Sequence, residues 1–177
     1  MARARRARWA AALAALAVPG CATEEPVADR DPAAERSGPV VRVIDGDTIK
    51  VEHDGRLQTV RLVGIDTPES GRPQTPVECG SKQAGTALRR LLLNRDVTVL
   101  RDPTQAAVDQ YGRVLAYVEV DGRDAGEAMV ASGWAKPYVY RGVEFERVRA
   151  YRAAQRGAAN RRAGVHGACA GDFHRSA

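Results

Sequence analysis

The sequence predicts an α+β fold that is mainly β, a small closed barrel of five strands with three helices packed on it. Three observations predict it. β-branched runs recur between Val40 and Val120, and Asp-Gly pairs at 54–55 and 121–122 mark tight turns at their ends. Apolar residues at helical spacing follow the first three runs, between Lys82 and Leu93. The resulting order, βββαββαα, suits a barrel closed on itself, although periodicity alone leaves other α+β arrangements open.

The chain has 177 residues, room for one domain and an appendage, and its 44% hydrophobic and 28% charged content is ordinary globular composition. The N-terminus combines Arg3, Arg5, Arg6 and Arg8 with an apolar Ala/Leu segment from about Trp9 to Val18, which reads as an export signal too short to span a bilayer. Cys21 follows Val18-Pro19-Gly20 and resembles the acylated cysteine of a bacterial lipobox, from which Pro19 departs. Plain secretion after cleavage near Ala15-Leu16-Ala17 is the alternative. The expected product is exported, as a cell-surface lipoprotein or a secreted protein, and touches a membrane only through that anchor. Residues 1–21 are thus assigned to the signal. Residues 22–38, rich in Ala, Pro, Asp and Glu, form a disordered linker, and residues 39–177 form the folded domain.

Within the domain, Val40–Ile44, Thr48–Glu52 and Val60–Ile65 read as a meander, with Asp54-Gly55 joining the second and third strands. A Pro- and Gly-rich loop from Thr67 to Gly80 leads into the helix Lys82–Leu93, where Ala84, Leu88, Leu91 and Leu92 share a face and Arg89 and Arg90 turn away. Strands Val97–Arg101 and Val114–Val120 follow. Asp124, three residues before Glu127, forms a capping box for a short helix Ala125–Ser132 that Gly133 closes, and a last helix is expected over Val143–Arg162.

Charge is a weak guide to partners. From Pro39 onward there are 21 basic and 17 acidic residues, and the run of seven arginines from Arg141 to Arg162 fits a solvated helix as well as a phosphate footprint. With Cys21 set aside, Cys79 and Cys169 remain as a pair in an oxidising compartment and are expected to be bonded, two free thiols being the alternative.

Asp45-Gly46-Asp47-Thr48 and Asp66-Thr67-Pro68-Glu69 would each pass alone for a turn. Both lie at strand ends of one meander, so a barrel can bring Asp47 and Asp66 to one mouth, where two carboxylates call for a cation. Hard oxygen ligands without His or Cys favour calcium, magnesium or manganese over zinc. His53, His166 and His174 have no metal-ligand spacing and read as surface or packing residues. Arg61, alternating with Val60 and Leu62, and Arg113, ending the turn Asp109–Arg113, carry the fork geometry that matches phosphate oxygens, the alternative being that each pairs with a surface carboxylate.

The block VVRVIDGDTIKVEHDGRLQTVRLVGIDTPES resembles the opening of the staphylococcal (micrococcal) nuclease family, and DQYGRVLAYVEVDGRDAGEAMVASGWAK resembles its second half. Together they cover most of Val40–Lys136 in the family's order. The resemblance implies an OB-fold barrel and a calcium-dependent endonuclease that hydrolyses DNA and RNA with low sequence specificity, leaving 3′-phosphate ends. It implies that Asp47, Asp66 and the carbonyl of Thr67 hold Ca2+, that Glu69 activates or positions the attacking water, and that Arg61 and Arg113 hold the phosphate. Tyr111, Tyr138 and Tyr140 match positions where the family stacks or hydrogen-bonds a nucleotide, the alternative being that they pack on the barrel. Gln110 replaces a usual lysine, the loop Ser70–Val77 has only Arg72 where lysines are frequent, and Pro137 accompanies a one-residue shortening. Nothing in the implied chemistry needs an obligate protein partner, and a monomer suffices. The rival reading is a non-catalytic OB-fold lipoprotein that binds single-stranded nucleic acid, and a third is a calcium-binding scaffold.

Overall fold

The computed structural model describes residues 36–71 and 76–177. The export signal, Cys21, most of the linker and Arg72 lie outside them. Strands β1 (Arg36–Val43), β2 (Thr48–His53) and β3 (Arg56–Leu62) form the meander, with β2 and β3 paired in register from Thr48 with Arg61 to His53 with Arg56. Asp54 and Gly55, both at positive φ, make the turn. Helix α1 (Ser81–Leu92) follows, then β5 (Asp96–Arg101) and β6 (Val114–Val120). The sheet runs β3-β2-β1-β5-β6, and a parallel pairing of β3 with β6 closes these five strands into a barrel.

β1 serves two neighbours in turn. Residues 36–39 pair with β5, and Val40, Arg42 and Val43 pair with β2, with a bulge between Val40 and Arg42. The strand therefore begins earlier than the hydrophobic run that announced it, and residues 36–38, expected in the linker, are barrel. Backbone pairing with β5 holds that part, and no apolar pattern marks it.

The barrel is filled by Val40, Ile49, Val51, Val60, Leu62, Val99 and Val118, all buried. Ala84, Leu88 and Leu92 bring the apolar face of α1 onto this core, and Leu91 is half-buried beside them. Helix α2 (Ala125–Ala131) is capped as expected, Asp124 Oδ1 accepting the Glu127 N–H at 3.1 Å, after a two-residue strand β7 (Arg123–Asp124). Two other short strands were not legible. Ile65–Asp66 (β4) leaves β3 after a turn at Val63-Gly64 and pairs with Lys136–Pro137 (β8) in a separate two-stranded sheet. Gly64 is required there: its φ is +76°, and an added Cβ would lie 2.6 Å from the Phe145 ring.

The last long helix, α3 (Val148–Asn160), starts five residues later than its periodicity indicates. Residues 140–142 make a 3-10 turn in which Arg141 has φ 50°, Phe145 plugs against Gly64, and the Glu146 N–H is held by Asp102 at 2.9 Å. These contacts fix a non-helical path. After Gly164 a further short helix, α4 (Val165–Ala168), precedes the C-terminal tail. No helix among the described residues is long and apolar enough to cross a membrane.

A buried polar network joins α3 to the barrel. Asp102, 1% exposed, accepts hydrogen bonds from the Tyr117 hydroxyl, the Glu146 N–H, and the Thr104 N–H and hydroxyl. Burial acts to raise its pKa, but these donors outweigh burial and hold it below the usual carboxylate value. Arg147 lies over the Tyr117 ring, 4.1 Å from its centroid, and pairs with Glu119 at 2.8 Å and Asp124 at 2.7 Å. Asp102→Ala leaves Tyr117 and Glu146 without an acceptor and is expected to cost about 2–3 kcal/mol in urea unfolding. An unchanged midpoint would show that the network contributes nothing net.

Candidate active site

The tight β1–β2 turn places Asp47. The Ile44 N–H bonds to Thr48 O at 2.8 Å and the Asp47 N–H to Asp45 Oδ1 at 3.1 Å, which tucks the Asp47 carboxylate inward. Gly46 permits this, because a Cβ there would fall 2.7 Å from Thr67 Oγ1. Asp47 is 4% exposed. Its Oδ1 accepts the Thr48 hydroxyl at 2.9 Å, while its Oδ2 accepts the Thr67 hydroxyl at 3.0 Å and lies 3.0 Å from Arg61 Nη1. Burial pushes the carboxyl up, Arg61 pulls it down, Asp45 raises it again, and the balance leaves it at about 7. One arginine does not fully compensate this buried charge.

Arg61 is held on β3 with its Nη1 also donating to the carbonyls of Leu62 (3.2 Å) and Ile65 (3.1 Å). The parallel β3–β6 register sets Val60 beside Val114, so Arg61 and Arg113, each one residue from that pair, flank the barrel's closing seam. Arg113 is anchored by Asp109, whose carboxylate accepts from Arg113 Nε at 2.7 Å and from the Tyr111 and Arg113 N–H groups at 2.9 Å each. Burial raises the Asp109 pKa, yet the bonds from Arg113 and Tyr111 prevail and keep it low. Arg113 also lies over the Tyr111 ring, 5.4 Å from its centroid.

Arg61, Arg113, Tyr111, Tyr138 and Tyr140 all line one cleft of about 330 Å³. The three tyrosines are exposed, so none is consumed by the core. Tyr138 and Tyr140 lie with ring centroids 6.4 Å apart, and Arg141 covers Tyr140 at 5.1 Å. The cleft offers two forks for anionic oxygens and aromatic faces for a flat ring.

The acidic residues on and after β4 form a neighbouring group outside the cleft wall. Asp66, half-buried, lies 3.4 Å from Lys136 Nζ and 3.7 Å from His174 Nε2. Glu69 is exposed, and its backbone N–H donates to Glu78 Oε2 at 2.8 Å. Thr67 bridges the two groups by its hydroxyl bond to Asp47. Cys79 and Cys169 form a disulfide.

Sequence reasoning missed Asp45, Asp109, Lys136, Glu78 and His174. His174 is exposed, as read, but it also reaches Asp66, Glu78 and Lys136. Asp109 could have been found, since an Asp opening a Tyr-Gly-Arg turn invites the two Asx-type bonds it makes. The others meet only through the fold.

Asp47 and the Thr48 and Thr67 hydroxyls bonded to it offer oxygen atoms, the kind a hard divalent cation prefers, beside the Arg61 guanidinium, and the undercompensated buried carboxylate supplies the electrostatic demand for one. Among the described residues no three His, Cys, Asp or Glu side chains converge as a ready-made cage.

The family model described as "Staphylococcal nuclease homologue" matches residues 59–166. The chain is 41% identical over 109 residues to the thermonuclease of Staphylococcus hyicus, covering 62% of this chain and 63% of that one. It is 40% identical over 101 residues to the thermonuclease of Staphylococcus intermedius, covering 57% and 59%, and 39% identical over 100 residues to endonuclease YncB of Bacillus subtilis strain 168, covering 56% and 47%. It thus spans less than two thirds of the length of these relatives. A family match over more than half the chain, on a closed five-stranded barrel with helices packed around it, places this chain in the staphylococcal nuclease homologue family.

Proposed function

We propose that this chain is a calcium-dependent endonuclease that hydrolyses phosphodiester bonds of DNA and RNA with low sequence specificity and leaves 3′-phosphate ends. The observation that carries the reading is the convergence of Arg61, Arg113 and three exposed tyrosines on one cleft, with Arg61 bound to the buried Asp47. Nucleases from Staphylococcus and Bacillus as relatives support it.

In this reading the two arginines bind the scissile phosphate and meet negative charge as phosphorus becomes five-coordinate. Asp47 and Asp109 orient the forks before substrate arrives. Tyr111, Tyr138 and Tyr140 receive bases on their faces, a mode of contact that tolerates any base. Glu69 accepts or directs a proton of the attacking water. Asp47, Asp66 and the Thr67 carbonyl would hold Ca2+, which supplies polarisation of a phosphoryl oxygen when bound. The assignment of residues 1–21 to export stands as part of this proposal, as does a linker from residue 22 that ends before β1 at Arg36, and acylation of Cys21 or plain secretion. A disulfide suits the oxidising compartment that export reaches.

The test is cleavage of single-stranded DNA with calcium and with chelator. Calcium-dependent cutting is expected, and Arg61→Gln and Glu69→Gln should each lower kcat/KM by about 100- to 1000-fold. DNA binding without cutting would favour the OB-fold binding module instead, and calcium binding with neither would favour the scaffold.

A further inference from the structure

We propose that Glu78 is a positioning residue for Glu69, and that the C-terminal tail, anchored by the Cys79–Cys169 disulfide, is the strap that holds Glu78 in place. The role given to Glu69 rests on the nuclease reading, but the contact argument does not.

Glu69 has an exposed side chain, and its backbone sets the direction in which that side chain leaves the loop. Both backbone polar groups of Glu69 go to one residue. Its N–H donates to Glu78 Oε2 at 2.8 Å, and its carbonyl accepts the Glu78 N–H at 3.0 Å. Such a reciprocal pair fixes the peptide planes on either side of Glu69. The other Glu78 oxygen, Oε1, lies 3.1 Å from His174 Nδ1, a tail residue.

The tail is itself tied at several points. Glu78 and Ser176 form an antiparallel bridge, flanked by the Cys79 N–H bonded to Arg175 O at 2.7 Å and the Ala177 N–H bonded to Val77 O at 2.9 Å. Cys169, fully buried with Val165 and Phe173, joins Cys79 covalently one residue from Glu78. His174 Nε2 is 2.6 Å from Lys136 Nζ, which in turn is 3.4 Å from Asp66. One short strap therefore reaches the supports of both Asp66 and Glu69. A loop held by a single hydrogen-bonded glutamate at the surface would fray alone, and the disulfide keeps its neighbour in register.

The experiment uses the full oxidised chain, single-stranded DNA and calcium, with each variant assayed well below its own unfolding temperature. Glu78→Ala should lower kcat by about 10- to 100-fold with KM little changed, because the cleft that binds the polymer is untouched. Glu78→Gln keeps a carbonyl acceptor for the Glu69 N–H and should recover most of kcat. The double variant Cys79→Ala/Cys169→Ala should lose kcat in the same way, and adding Glu78→Ala to it should cost much less than in the oxidised chain. Independently of cutting, the Glu69 amide should exchange with deuterium about tenfold or more faster in Glu78→Ala than in wild type. Wild-type kcat in Glu78→Ala, or equal losses in the Ala and Gln variants with unchanged Glu69 exchange, would overturn the proposal. A wild-type chain that binds DNA without cutting would overturn the nuclease reading, and the exchange measurement would then decide the Glu69–Glu78 contact by itself.

Discussion

Asn at position 47 is expected to stabilise the protein at pH 8, in chelator, by on the order of 1 to a few kcal/mol, while lowering cleavage about 100-fold or more. Asp47 is buried, and its pKa is raised from 3.8 to about 7 because burial outweighs the attraction of Arg61 and Asp45 adds repulsion. Below about pH 4 the folded and unfolded states both hold the proton, and this group leaves stability untouched. Between about pH 4 and 7 the unfolded chain has lost a proton that the folded chain keeps, so stability falls by about 1.4 kcal/mol per unit of pH. Above the folded pKa the loss is complete.

An amide is neutral throughout and escapes that loss, yet it cannot supply the negative charge that orients Arg61 or attracts a cation. Urea unfolding of both proteins from pH 5 to pH 8 is the measurement. The difference between the two curves should widen as pH rises and level off near pH 7 to 8. Asp102 and Asp109, whose pKa values are held low, act in the opposite sense, contributing stability that is lost as pH falls through their folded values. Parallel curves for wild type and Asp47→Asn would show that Asp47 is not strained in the folded state.

Reduction of Cys79–Cys169 is expected to remove about 4–5 kcal/mol of stability, because the bond closes a span of 90 residues and its loss restores that loop entropy to the unfolded chain. The folded geometry gives little reason for compensation: Cys169 is buried against Val165 and Phe173, and Cys79 is packed beside Trp134 in the same cluster. The Cys79→Ala/Cys169→Ala variant should show the same loss in urea without any reductant, which separates the bond from side effects of the thiol reagent. A loss below about 1 kcal/mol would mean that the unfolded chain keeps these segments together by other means.

The meander, α1, β5, β6 and the α2 cap were legible because each is written locally. Turn residues such as Asp54-Gly55 and Asp121-Gly122, the spacing of Ala84, Leu88 and Leu92, and the Asp124–Glu127 cap need no distant partner to be recognised. The start of β1, the separate β4–β8 pair and the late start of α3 were not. Residues 36–38 carry no apolar pattern and are strand only because β5 supplies partners. The path from Val143 to Arg147 is helical by composition, but Asp102 captures Glu146 and Phe145 fills the space over Gly64.

The sequence by itself indicated the fold class, put Asp47, Asp66, Glu69, Arg61 and Arg113 forward as candidates through a family resemblance, and made Cys79 and Cys169 the expected pair. These depend on residue type and short-range order, which a chain displays directly. Only the tertiary structure decided that Arg61 and Arg113 line one cleft beside the β3–β6 seam, that Asp47 is buried beyond what Arg61 compensates, and that His174 and Glu78 arrive beside Asp66 and Glu69. Burial and electrostatics are set by what surrounds a group in space. Residues up to 96 positions apart, as Glu78 and His174 are, become neighbours only when the barrel closes and the disulfide draws the tail across it.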